Sequence, residues 1–211
     1  RGKGHGTSEA VNSVEGVTVE HLFPTGGWTA VLAIGSNAGV PQLCRKFRGE
    51  GNVWPAMDVV IPCLQVTVPD YDVVYAPIVS GYGSIPATLE KSPGTDAHIF
   101  LTLLSVAALE RMHLSEGAYH YLPVPLARPV TLTQSGAVLQ LSADATEPPT
   151  PFAYICRHGN LVTSPDGPIS LSEISATNRR FEALTQRGVQ ERIRRAEAAQ
   201  AMGQEGREEK K

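Results

Sequence analysis

Between residues 59 and 104 the chain carries four β-rich apolar runs, at 59–68, 71–79, 85–89 and 97–104, parted only by short turn signals. So dense a block of strand-forming sequence commits the core to a sheet. Pro69-Asp70 reads as a turn between the first two runs, and "SPGTD" at 92–96 as the turn that closes the third. Ser105 then has the form of an N-cap for "VAALERMHLSE". Val106, Leu109, Met112 and Leu114 give that helix an apolar face, and Gly117 is its stop.

Around this block the signals are shorter. Residues 29–34 read as a strand and 41–47 as a helix with Pro41 in its first turn. Residues 119–126 and 130–141 return to extended character, the latter as a hairpin around Gln134-Ser135-Gly136. "ATEPPTP" at 145–151 is a Pro-stiffened loop, and 152–156 a further strand. Ser170-Leu171-Ser172-Glu173 has the form of a capping box opening a helix to about Arg187, and 189–201 forms a second helical stretch. Strands gathered around one central helix, with helices at the end, make the class α+β. Residues 1–20 read as a poorly ordered segment, 21–187 as a single domain, and 188–211 as a C-terminal helix with a charged tail.

Charge bounds the partners. With 18 Lys and Arg against 21 Asp and Glu, the net charge is −3, which lacks the basic footprint of a nucleic-acid binder. No apolar run approaches the length of a membrane span, so no membrane partner is expected. Three cysteines, Cys44, Cys63 and Cys156, form no CxxC and cannot all pair internally; a reducing cytoplasm is the expected compartment.

Several constellations bear on chemistry. At Gly35-Ser36-Asn37-Ala38, small residues at a strand-to-helix junction either let backbone amides converge on an anion or carbonyl oxygen, or simply punctuate a turn. Glu116 ends an apolar helix just before Gly117 and two tyrosines. It reads either as an exposed helix-end acid or as a carboxyl group at the mouth of a pocket, placed for proton transfer. His113, Glu116 and His120 share a face only on an unbroken helix, and their spacing is not that of HExxH. His98 reads as a structural histidine, and Cys63, in an apolar strand, as an inert thiol. No GxSxG elbow and no P-loop is present.

In order along the chain stand Ile34-Gly35-Ser36-Asn37, then "YDVVYAPIVSGYGSIPATLEKSPGT" at 71–95, then a strand, a helix and "EGAY" at 116–119. On these residues the chain resembles the γ-glutamylcyclotransferase-like superfamily over roughly residues 29–126. Members have a Tyr-Gly-Ser-Asn type loop after the first strand, "ATL" with a Pro-Gly turn, and an E-G-x-Y element. The resemblance implies an α+β fold, a mixed β-sheet or small barrel with a central helix, to which the residues themselves add C-terminal helices. It also implies release of 5-oxoproline from a γ-glutamyl amine or small peptide by intramolecular aminolysis, without metal or organic cofactor. Carried over residue by residue, Glu116 is the general acid/base, while Ile34, Gly35, Ser36, Asn37 and Tyr119 bind the small-molecule γ-glutamyl substrate. Two positions depart from the pattern. Ile34 stands where the loop commonly opens on an aromatic residue, and His113 stands where an Asp often precedes the acid, bringing an imidazole near it. The C-terminal helices fall outside the resemblance; capping the cavity and homo-oligomerisation are the two roles open to them.

Overall fold

The structure, a computed structural model, describes residues 17–18, 27–49, 55–81, 83–140, 150–164 and 167–208. Along the chain run β1 (Thr29–Ala33), a 3-10 turn (Gly35–Ala38), α1 (Val40–Phe47), β2 (Cys63–Tyr75), β3 (Ala87–Leu104) and α2 (Val106–Ser115). Then come β4 (Tyr119–Pro123), β5 (Thr131–Leu132), β6 (Phe152–Cys156), β7 (Ser170–Leu171), β8 (Ala176–Thr177), β9 (Ala183–Leu184) and α3 (Gln186–Glu208). Among the described residues these strands form one nine-stranded sheet, in the order β9-β7-β2-β3-β1-β6-β4, with β8 on β3 and β5 on β2. The class is α+β. The hydrogen-bonded path ends at β9 and β4 without closing, so the sheet is mixed and open and not a small barrel.

β2 and β3 are the long antiparallel pair at its centre, in register from Cys63↔Thr102 to Tyr75↔Ala87. The two turn signals expected here do not reverse the chain. They face each other across the pair, where Pro69↔Asp96 is followed by Tyr71↔Lys91, so that residues 92–95 bulge out opposite Asp70. Asp70 takes a left-handed φ of 65° and accepts a 2.8 Å bond from the amide of Gly94, itself at φ 85°. A bulge of this kind bends both strands together and lets one ribbon serve two faces of the core.

Before the bend, β2 alternates as a one-sided strand does: Val66 and Val68 are buried while Gln65 is exposed. Beyond it, residues 71–75 are buried on both faces. The covering comes from the C-terminal segment, where Ser170 Oγ donates to Asp72 Oδ2 at 2.6 Å and Arg179 Nε donates to the same carboxylate at 3.0 Å. The helix expected from Ser170 to Arg187 is therefore absent, replaced by β7, β8 and β9. The polar groups that resembled a capping box are satisfied elsewhere, with Glu173 Oε1 accepting from the amide of Gln186 to cap α3 instead. α3 begins at Gln186, earlier than expected, and buries Val189.

Val17–Thr18 pair in parallel with Leu139–Gln140; the rest of residues 1–20 and the loop at 141–149 lie outside the described residues. In the expected hairpin, Gly136 N donates to Leu132 O at 2.8 Å and Thr131 bridges Val138. α2 is capped as expected, with Ser105 Oγ accepting from Ala108 N at 3.3 Å. Its buried face is the expected one in part: Met112 is buried and Leu109 packs against the cluster around it. Val106 and Leu114 are 68% and 63% exposed, while Ala108, Arg111 and Met112 turn inward. Spacing of three and four residues makes 108, 111 and 112 one stripe, which packs with Phe47, Val31, Leu104 and Tyr154. Arg111 remains buried because its guanidinium donates to the carbonyls of Lys46 and Pro55. No described helix is long and apolar enough to cross a membrane.

Candidate functional site

β1 delivers the chain from the core directly into the 3-10 turn. Gly35 begins that turn at φ +69°, and an added Cβ there would stand 3.4 Å from the Cβ of Ala87 on β3. Glycine thus allows both the left-handed backbone and the close approach to the sheet. By the geometry of a 3-10 turn, its first amides have no partner within it. Val40, with Pro41 beside it, then opens α1, which presents Gln42 and Lys46 four residues apart.

These elements form one wall of a cavity of about 520 Å³. Ile34, Gly35, Ser36 and Asn37 line it, as do Lys46 from α1, Glu116 and Tyr119 from the α2–β4 junction, and Tyr154 from β6. Every substrate-contacting position carried over by the resemblance therefore meets at one cavity. Ile34 is buried there and contributes only apolar surface. Tyr119 donates its hydroxyl to the Ala87 carbonyl at 3.2 Å. A shallower recess of about 470 Å³ adjoins, sharing Ser36 and Gln42 and flanked by Arg45.

Glu116 is the C-cap of α2, and its carbonyl accepts from Tyr119 N at 2.9 Å as the chain turns into β4. Its carboxylate does not stand in apolar surroundings. Oε1 accepts from Asn37 Nδ2 at 3.1 Å and from the ammonium of Lys46. Lys46 Nζ also donates to Asn37 Oδ1 at 2.9 Å, closing a three-residue ring of contacts, and reaches Met112 Sδ at 3.3 Å. Lys46 and Glu116 side chains are only 7% and 10% exposed. A carboxylate at a helix C-terminus opposes the helix dipole, and the ammonium offsets this. Oε2 has no hydrogen-bond partner among the described residues.

The imidazole of His113, expected near the acid, makes no side-chain hydrogen bond or ion pair with Glu116 among the described residues. Its Nδ1 lies 2.9 Å from the Tyr154 hydroxyl, and its ring packs edge-on against Tyr121, 4.7 Å between centroids. The cation beside the acid is Lys46. Burial and the nearby Glu116 charge raise the Tyr154 phenol well above its ordinary range, so it meets the cavity protonated. The possible trio of His113, Glu116 and His120 does not assemble. α2 ends at Ser115, His120 is on β4, and no group of three metal-ligating side chains comes together among the described residues. His98 Nδ1 is 3.0 Å from Thr67 Oγ1 between paired strands. Burial pushes the Cys63 thiol up, away from the reactive thiolate.

Among the lining residues that sequence reasoning missed are Gln42, Lys46, Tyr154 and Gln186. Gln42 and Lys46 had a signal, since an i, i+4 pair follows the Gly-Ser-Asn turn directly. Tyr154 had a weaker one, alternation within "FAYIC". Gln186 had none. It enters from the start of α3, where its amide group exchanges two hydrogen bonds with the backbone of Ile85, fixing the loop that forms the far wall.

No family model matches the chain, and no curated protein matches it. Among solved structures, it is similar to At5g39720.1 from Arabidopsis thaliana, with a TM-score of 0.44 and 12% identity, covering 67% of this chain and 75% of that one. It is also similar to the uncharacterized protein loc79017 from Homo sapiens, with a TM-score of 0.44 and 15% identity, covering 62% of this chain and 68% of that one.

Proposed function

We propose that the chain is a γ-glutamylcyclotransferase-like enzyme that releases 5-oxoproline from a γ-glutamyl amine or small peptide. One observation carries the reading: Asn37 and Glu116, 79 residues apart in sequence, are hydrogen-bonded on the wall of a single cavity. The turn and the acid that the resemblance pairs are thus side by side. The cavity volume suits a ligand of this size.

The α-amine of the substrate is already tethered to the carbonyl it attacks, so catalysis needs folding of the chain and management of protons. Glu116 Oε2 takes a proton from the α-ammonium, and the freed amine attacks the γ-carbonyl to form a tetrahedral centre. The amides of Gly35 and Ser36 support the developing oxyanion. The bond to the leaving nitrogen breaks as Glu116 returns the proton to it. The second proton of the attacking nitrogen follows through the same carboxylate, so the amine departs as an ammonium and a neutral lactam nitrogen remains. No water or cofactor enters this balance. The adjoining recess beside Ser36 and Gln42 leaves room for the departing group. Cytoplasmic action is part of the proposal, supported by three free cysteines.

A second reading, a non-catalytic small-molecule binding module on the same fold, is favoured by the Lys46 contact, which occupies one oxygen of the acid. Incubation of the purified protein with a panel of γ-glutamyl amines and dipeptides, read by mass spectrometry, separates the two. Equal release of 5-oxoproline and free amine supports the enzyme; saturable binding without either product supports the module.

A further inference from the structure

Of the described residues lining the main cavity, only Lys46 and Glu116 carry a formal charge, and they are paired with each other. A ligand bearing one charge must break that pair and leave the other member unmatched in a largely dry wall, which is costly. An ammonium on Glu116 strands Lys46, and a carboxylate on Lys46 strands Glu116. A ligand carrying both charges on adjacent groups replaces one ion pair by two.

We propose that the Lys46–Glu116 pair is a selectivity device for a zwitterionic α-amino-acid head, with Lys46 receiving the α-carboxylate and Glu116 the α-ammonium. The inference rests on the γ-glutamyl reading of the site but deepens it. It gives the carboxylate a charged partner and leaves the Gly35 and Ser36 amides for the γ-carbonyl. Asn37 stays in place through the exchange, because its side chain touches both charged groups, accepting from Lys46 and donating to Glu116. The site thereby rejects N-acylated and α-amidated γ-glutamyl compounds, whatever their leaving amine.

The test uses L-glutamine, its α-carboxamide (glutaminamide) and N-acetyl-L-glutamine as probes. Dissociation constants are measured calorimetrically in the cold, at a pH where both free amines are charged, with 5-oxoproline release followed on the same samples. Wild type binds L-glutamine at least about tenfold more tightly than either singly charged analogue. Lys46→Met abolishes the preference over glutaminamide, because the single ammonium now meets an uncompensated Glu116. Lys46→Arg restores part of it. Should Lys46→Met fail to fold, the double variant Lys46→Met/Glu116→Gln, which removes both charges together, is expected to bind all three probes alike. Equal binding of the three probes by wild type, or an equal loss for glutamine and glutaminamide in Lys46→Met, overturns the proposal. Zwitterion preference with no 5-oxoproline from any member of the γ-glutamyl panel keeps this inference and removes the enzyme reading. Turnover without the preference does the reverse.

Discussion

Lys46 and Glu116, 70 residues apart in sequence, form an ion pair in the cavity wall, with Asn37 bonded to both. Neither side chain retains much contact with water, so each depends on the other. Lys46→Ala is expected to cost about 3 kcal/mol of stability by leaving the carboxylate unpaired at the helix C-terminus. The double variant Lys46→Ala/Glu116→Gln recovers much of it, since the stranded charge is gone. Urea unfolding of wild type, Lys46→Ala, Glu116→Gln and the double variant measures the coupling; additive losses would show that the two groups do not depend on each other.

A second ion pair holds the C-terminal segment. Asp72 is fully buried and accepts from Ser170 Oγ, Arg179 Nε and the amide of Val73. Asp72→Ala is expected to destabilise by about 3 kcal/mol or more, because Arg179 and Ser170 lose their acceptor in a dry interface. Hydrogen exchange is expected to show the loss first in residues 169–187. Uniform acceleration across β2 and β3 alone would contradict this role.

These two clusters explain what the sequence could and could not convey. Ser105 announced its helix because the bond it makes, to Ala108, is three residues away. β6 was legible to the residue for a similar reason, as a short β-branched and aromatic run between turn signals. Ser170 and Glu173 misled because the residue types that make a local capping box also serve distant partners, here Asp72 and Gln186. Pro69-Asp70 and residues 92–96 read as turns that end strands, yet both lie within the continuous strands β2 and β3. That they face each other and bend two paired strands is a matter of register, which single segments do not carry. At the site, the turn and Glu116 were legible through the resemblance, while Lys46 required knowing where α1 lies against α2.

The tyrosines behind the site give a pH signature. Burial pushes the Tyr121 phenol up to about 12, and its hydroxyl has no hydrogen-bond partner among the described residues. The unfolded phenol ionises near pH ~10. Its folded pKa is raised, so this contribution is intact below that pH and is lost as pH rises toward the folded value. Tyr121→Phe is expected to flatten the alkaline limb of the stability curve. At neutral pH it stabilises by about 1 kcal/mol, by removing an unsatisfied buried hydroxyl. Thermal unfolding across the alkaline range checks both; an unchanged limb with lower stability at neutral pH would show that the hydroxyl has a partner.

The central claim is that Glu116 shuttles the protons of γ-glutamyl cyclisation. Its most direct test is 5-oxoproline release by wild type and Glu116→Gln, with γ-glutamyl substrates that wild type turns over and with folding verified for both. Glutamine keeps the Asn37 and Lys46 neighbourhood close to its native shape but cannot carry a proton. Glu116→Gln is expected to lower 5-oxoproline release at saturating substrate by at least about 100-fold, and also to weaken substrate binding because the α-ammonium loses its charged partner. Full 5-oxoproline release by Glu116→Gln would contradict it.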